Sequence, residues 1–343
     1  MPATTCRQPN VEPRSTGALR QRRVPRPWPK DREFRILSLD GGGIRGIFTA
    51  TLLAALEEQF LPSDRRIYEY FDLITGTSTG GIIALGLSLG LPARQMAGLY
   101  ADRGKEIFPP PPKAKWRRWL RRGHKYFRHR YERKGLTAVL EETFGEHLFG
   151  EAKVPLCIPS CDGRYGEVYV FKTPHHPDFK KDGTERMVKV ALSTSAAPTY
   201  FQPLDSGGYR YLDGGLWANN PIMVGLTDAL SSFDVDRSMV RILSISCGDS
   251  PFMVTDKQVL KGGLLSWTKI IDAAIHLQSL NAQGQASLLI GADRILRVSP
   301  GSSNIELDDY VAAMKTLPIA ATQCADSLGS SIASSFLTEH IAP

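Results

Sequence analysis

Gly76-Thr77-Ser78-Thr79-Gly80 decides how the rest of this chain is read. The apolar run Phe71-Asp72-Leu73-Ile74-Thr75 ahead of it predicts a buried strand, and Gly81-Ile82-Ile83-Ala84-Leu85 behind it predicts the start of a buried helix. Strand, tight turn and helix in that order, with G-x-S-x-G at the turn, is the pattern of a nucleophile elbow. Gly76 and Gly80 let the backbone fold back so sharply that a serine hydroxyl stands clear of the sheet end. Ser78 is therefore the candidate nucleophile. A bare G-x-S-x-G is more often a small-residue turn, and it is the flanks that favour the catalytic reading.

Upstream lies a second unit of the same kind. Phe34 to Leu39 predicts a strand, Asp40-Gly41-Gly42-Gly43-Ile44-Arg45-Gly46 a loop, and Ile47 to Phe60 a helix. Two consecutive strand–helix units argue for an α/β fold with a parallel, helix-covered sheet. Gly41, Gly42 and Gly43 supply successive backbone N–H groups with no side chains in the way, at the start of a helix. Such a nest holds an anion, either a phosphate or the oxyanion of a tetrahedral acyl intermediate. The loop lacks the Lys-Ser/Thr of a P-loop, and Asp64 lies in a Pro-Ser-Asp-Arg-Arg turn, the wrong context for a dinucleotide fold. Beside a nucleophile elbow the oxyanion reading is the better one.

Downstream, Ser78 needs a base, because a free serine hydroxyl is a poor nucleophile at neutral pH. The seven histidines are His124, His129, His147, His175, His176, His276 and His340. Only His175-His176 follows a predicted strand, and its Pro-His-His-Pro setting reads as a surface turn, so it is a weak triad candidate. Asp213 is stronger. Tyr209-Arg210-Tyr211-Leu212 runs as a strand into Asp213-Gly214-Gly215, and Asn219-Asn220-Pro221 then opens a helix with a polar cap. A carboxylate with an ordinary pKa near 4 is a weak base for serine, so Asp213 is expected to be desolvated.

The remaining pattern is helix over Pro92 to Lys105, a stop at Pro109 to Pro112, and helix over Leu136 to Phe144. Strands are predicted at Val154 to Ile158, Val168 to Phe171, Arg241 to Ile245 and Arg294 to Val298, with a helix at Val188 to Ser195. No repeat is present, and one catalytic domain over 34–343 is the simplest account, with 1–33 as a flexible basic arm and 113–134 as a basic, aromatic insertion. The five scattered cysteines show neither a disulfide framework nor metal-ligand spacing, which implies a reducing compartment and no metal. Residues 1–33 lack the apolar segment of a secretory signal, and the uncharged run Leu73 to Ala93 holds five glycines and a polar centre, against a membrane span.

The net charge of +7 is unevenly placed: 1–35 carry nine Arg/Lys against three Asp/Glu, and 113–134 carry eleven against one. The rest of the chain is acidic. The basic insertion reads as a solvated charged face, or as a docking surface for anionic membrane through Trp116, Arg117, Arg118, Trp119, Arg121 and Arg122, or as a nucleotide contact. Specific nucleic-acid binding is disfavoured.

Taken together, the Asp40–Gly46 loop, the Gly76–Gly80 elbow, Ser195-Ala196-Ala197-Pro198-Thr199-Tyr200-Phe201 and Asp213-Gly214-Gly215, in this order, closely resemble the patatin-like phospholipase family over about residues 34–250. The resemblance implies a three-layer α/β/α sandwich with a mostly parallel central sheet, a Ser78–Asp213 dyad without histidine, and an oxyanion hole of Gly41, Gly42, Gly43 and Arg45. It implies hydrolysis of lipid acyl esters without a metal or catalytic cofactor. It also allows a cytoplasmic bacterial enzyme, peripheral at the inner membrane when active, that a cyclic nucleotide switches on in anti-phage defence, as a homodimer or higher oligomer. The competing readings are a lipase or esterase for neutral lipids or small esters, and a non-catalytic module that binds nucleotide at the glycine loop.

Overall fold

The computed structural model describes residues 23–109, 129–248, 253–254, 270–302 and 305–338. Strand β1, Phe34–Leu39, is buried along its whole length. Its side chains alternate between two apolar layers: Phe34 and Ile36 face one, Leu37 and Leu39 the other. A strand apolar on both faces belongs in the middle of a helix-covered sheet, and that is where it lies.

Among the described residues, eight strands form one sheet. β1 pairs in parallel with β2 (Leu73–Gly76) and with β7 (Val240–Ile245). β7 in turn pairs in parallel with β8 (Ile295–Val298), and β2 with β3 (Leu156–Asp162). Beyond β3 the sheet changes sense. β4 (Glu167–Lys172) and β6 (Tyr209–Asp213) both run antiparallel to β3, and β5 (Leu204–Ser206) closes the edge against β6. The order is β5-β6-β3-β2-β1-β7-β8, with β4 also on β3.

The larger apolar layer is made by α1 (Gly46–Phe60), α2 (Thr79–Ser88), α3 (Ala93–Ile107), α4 (Lys134–Phe144), α5 (Met187–Thr194) and the C-terminal helix α8 (Tyr310–Phe336). On the opposite face α6 (Ile222–Ser232) and α7 (Ile270–Ile290) bury Ile222, Leu226, Ala282, Ala286 and Ile290 against Phe34, Ile36 and Ile242. The result is the expected three-layer α/β/α sandwich, mostly parallel. No described helix is long and apolar enough to cross a membrane.

Two expectations need correction. The segment 23–33 does not hang free as part of an arm. Arg26 bridges to Phe233, Trp28 packs on Phe34 and Phe233 with ring centroids 4.7 and 5.5 Å away, and Arg32 pairs with the buried Asp72. The arginines and prolines that suggested a solvated tail instead cover the start of β1 and the end of α6. His175 and His176 do not form a surface turn either. Both are buried, at 7% and 4% exposure, beneath that same segment. Trp116, Arg117, Arg118, Trp119, Arg121 and Arg122 lie outside the described residues, as does the arm before residue 23.

Candidate active site

The glycine loop leaves the C-terminal end of β1 and the elbow leaves the C-terminal end of β2, its neighbour, which is where open α/β sheets place their sites. Thr77 donates its N–H to the Leu39 carbonyl at 3.1 Å, so the elbow is bonded to the end of β1. The turn is as tight as the sequence implies. A side chain at Gly76 would sit 2.3 Å from the Gly80 carbonyl oxygen, and one at Gly80 would sit 2.3 Å from that of Leu39. Only glycine fits at either place.

Ser78 stands between them at φ 54°, ψ −119°, a backbone conformation that a serine adopts only under constraint. Three bonds supply the constraint. The Ser78 N–H donates to Thr194 Oγ1 at 3.0 Å, the Thr194 hydroxyl donates to the Pro159 carbonyl at 2.6 Å, and the Thr77 hydroxyl donates to the Ala218 carbonyl at 2.5 Å. Ser78 itself is half-buried, so its hydroxyl remains within reach of a substrate.

Asp213 is the last residue of β6. Its N–H is bonded to the Ala196 carbonyl at 3.0 Å, and its carboxylate Oδ1 accepts the Gly215 N–H at 2.7 Å. Burial raises its pKa from 3.8 to about 6, although the Gly215 N–H and a hydrogen bond from the Ser78 side chain both pull it down. The carboxylate is thus desolvated, as required of a base for serine, and is still ionised in most molecules at neutral pH. Gly214 bonds to the Thr194 carbonyl, and a side chain there would strike the Pro159 carbonyl at 2.4 Å, so the Asp-Gly-Gly loop lies tight against β3.

The glycine nest is smaller than the sequence suggests. Gly41 donates its N–H to the Asn219 carbonyl at 2.9 Å and is spent. Its Cα nevertheless lies beside Ser78, since a Cβ there would come 3.4 Å from Ser78 Cβ and 2.6 Å from Asn219 Oδ1. Among the described residues the Gly42 and Gly43 N–H groups have no acceptor, which leaves these two available to an anion, with Gly43 at φ +56°. Arg45 is buried and points back into the loop, where Nε donates to the Gly42 carbonyl at 3.4 Å. It braces the nest. Asp40, at the foot of the loop, is held by a bidentate pairing with Arg297 of β8, whose guanidinium also donates to Ser244 Oγ at 2.6 Å.

Among the described residues no histidine is a hydrogen-bond partner of Asp213. His175 Nε2 lies 2.7 Å from Asp228 and its Nδ1 2.8 Å from the Thr173 hydroxyl, while His176 Nε2 lies 3.0 Å from the Val24 carbonyl. His147 pairs with Glu151 at the surface. Cys157, His175 and Asp228 are close enough together to suggest metal ligands. The chemistry of the set speaks otherwise, because Asp228 is already neutralised by the Lys172 ammonium as well as bonded to His175. Burial would raise the Asp228 pKa, yet His175 and Lys172 together hold it well below the usual carboxylate range. An ion here would have to displace Lys172, so the cluster is read as a buried ion pair that joins β4 to α6.

Three contributors escaped the sequence reading. Thr194 sits in an unremarkable Ser-Thr-Ser run, Arg297 in a short strand, and Asn219 was read only as part of a helix cap. Asn219 has the clearest role, since its carbonyl and side chain join the glycine loop to the Asp-Gly-Gly loop.

A family model described as patatin-like phospholipase matches residues 37–226. A protein from Escherichia coli (strain TW11681) named cGAMP-activated phospholipase is 41% identical over 224 residues, covering 62% of this chain and 61% of its own length. One of the same name from Pseudomonas aeruginosa is 33% identical over 280 residues, covering 80% of this chain and 78% of its own. The chain thus spans about three fifths of the first relative and more than three quarters of the second. Among solved structures, VipD from Legionella pneumophila is matched over 86% of this chain and 67% of that one, at 14% identity and a TM-score of 0.42.

Proposed function

The chain belongs to the patatin-like phospholipase family, and on that premise we infer that it is a serine acyl hydrolase that releases fatty acids from membrane glycerophospholipids. What supports this reading is the constrained elbow that carries Ser78 together with the buried Asp213, whose carboxyl is raised to about 6 by burial. Asp213 takes the proton as Ser78 Oγ attacks the ester carbonyl, and the Gly42 and Gly43 N–H groups hold the oxyanion. The tetrahedral adduct collapses, the leaving alcohol takes the proton from Asp213, and an acyl-serine remains. Water then gives its proton to Asp213 and attacks the acyl carbon. Fatty acid leaves and Ser78 recovers its proton.

The test uses phospholipid vesicles and the whole chain. With cyclic dinucleotides present, fatty acid release is expected from the wild type and is expected to be lost in Ser78→Ala and in Asp213→Asn with the fold kept. Undiminished hydrolysis by either variant would refute the dyad. Neutral lipids and small esters in the same assay separate phospholipid specificity from general esterase activity.

The regulatory part of the proposal is that a cyclic nucleotide switches the enzyme on, in defence against phage, at the cytoplasmic face of the inner membrane. Its support is that relatives from bacteria carry the name cGAMP-activated phospholipase. Vesicle hydrolysis that stays flat across a panel of cyclic dinucleotides, cGAMP included, would refute it.

A further inference from the structure

The glycine nest does not stand alone. Gly43 lies so close to the 305–309 loop that a Cβ on it would meet the Leu307 carbonyl oxygen at 2.3 Å. The next residue, Ile44, donates its N–H to that same oxygen at 2.9 Å. Leu307 is therefore the backing of the nest. Asp308, one residue on, turns its carboxylate the other way. Its Oδ2 accepts both Arg130 Nη1, at 2.6 Å, and the Tyr131 hydroxyl, at 2.5 Å, and the Asp308 side chain is only 11% exposed.

Arg130 and Tyr131 are themselves fixed to a third loop. Their N–H groups donate to the carbonyls of Thr199 and Tyr200, each at 2.9 Å, and the Arg130 guanidinium lies 4.7 Å above the Tyr200 ring. Tyr131 also packs with Phe108 and Phe201, at 5.7 and 6.1 Å between ring centroids. The 196–201 loop leads to the base, because the Ala196 carbonyl holds the Asp213 N–H. Thr199 is the only non-glycine besides Ser78 with positive φ among the described residues, at 71°, so this loop is held in one shape by its contacts.

We propose that Asp308 is a positioning residue of the hydrolase: through Arg130 and Tyr131 it locks the 305–309 loop to the loop that leads to Asp213, and through Leu307 it holds the oxyanion nest at its working distance from Ser78. It touches no reacting atom. Its effect is on the geometry of Gly42 and Gly43, where a displacement of about 1 Å costs on the order of 100-fold in rate. The surrounding helices are anchored independently, by Tyr310 on the Ala101 carbonyl at 2.6 Å and by the Asp309 cap of α8. Loss of the Asp308 contacts therefore loosens the nest while the fold stands.

This inference rests on the glycine loop being the oxyanion hole, and the experiment separates the two. Asp308→Asn and Tyr131→Phe are made in the full chain and compared with the wild type and Ser78→Ala. Hydrolysis of a soluble p-nitrophenyl ester is measured together with amide hydrogen exchange at Ile44. The expected result is faster exchange at Ile44 and a fall in kcat of about 10- to 100-fold, with KM nearly constant and the urea midpoint little moved. A purely structural role would lower the midpoint and leave kcat per folded molecule unchanged. Unaltered exchange at Ile44, or wild-type kcat in the variants beside an inactive Ser78→Ala, overturns the proposal. If the wild type cleaves no ester even with cGAMP and other cyclic dinucleotides added, it is the reading of the site that fails, and Ile44 exchange still decides whether Asp308 holds the loop. Should Asp308→Asn not fold, Tyr131→Phe, which keeps its ring in the aromatic packing, carries the same two measurements.

Discussion

Replacement of Asp213 by asparagine is expected to abolish hydrolysis and to make the protein more stable. The carboxyl sits at about 6 in the fold against 3.8 in water, because burial disfavours its ionised form. At 1.36 kcal/mol per pH unit, keeping Asp213 ionised costs the folded state about 3 kcal/mol once the pH is well above 6. The sign follows from proton binding. The native state holds this proton more tightly than the unfolded chain, so the cost is absent below the unfolded pKa, grows between about 4 and 6, and is complete above that window. Asparagine has the same shape, can keep its carbonyl on the Gly215 N–H, and titrates nowhere. The variant should therefore exceed the wild type by about 3 kcal/mol at pH 8 but by only about 1 kcal/mol at pH 4.5. Urea denaturation of both proteins at the two pH values measures the gap. A variant that is less stable at pH 8, or a gap that does not change with pH, would show that Asp213 is not held as a desolvated carboxylate.

The same titration appears in the rate. Asp213 acts as a base only when ionised, so kcat/KM for a soluble ester should rise with pH through about 6 and level off above 7, and a flat profile from 5 to 8 would assign the proton to another group. Ser78→Gly should be more stable than Ser78→Ala by about 1 kcal/mol, because glycine accepts φ 54° without strain and alanine does not; equal urea midpoints would mean the elbow stores none. Arg297→Ala should cost about 3 kcal/mol by taking the bidentate guanidinium away from the buried Asp40 carboxylate, read from the same denaturation curves. Gly43→Ala should lower kcat by more than 100-fold, since the added methyl meets positive φ and the Leu307 carbonyl at once, and near-normal kcat would remove Gly43 from the oxyanion hole.

The parts of the site that were legible in the sequence are those where the backbone itself is crowded. Gly76, Gly80 and the Asp40–Gly46 loop announce themselves because a close approach excludes every residue but glycine, and that requirement is written locally. β1 and β2 were equally plain, as short apolar runs that end in glycine turns. What escaped depends on partners far along the chain. The Gly41 N–H is consumed by Asn219, and Thr194 holds the Ser78 N–H. No spacing rule connects positions so far apart. His175 read as exposed because proline and histidine are common in surface turns, yet Asp228 and the segment around Arg26 enclose it. The same long-range docking explains why 23–33 read as an arm: its charges are satisfied by residues near 175 and 234, which local composition cannot reveal.

The change of sense in the sheet at β3 has a bearing on how the protein is made. The nucleophile and the glycine loop belong to the first two strands, whereas the base arrives on an antiparallel strand that begins at Tyr209. A ribosome adding 5–20 residues each second needs on the order of 10 s to travel from Ser78 to Asp213. Throughout that interval the nascent chain holds a serine with no carboxylate to receive its proton. Even after Asp213 is built, the strand β7 that flanks β1 and the Arg297 that anchors Asp40 are still to come. On the proposed reading, a phospholipid hydrolase thus stays inert through most of its own synthesis, by the order of its strands alone.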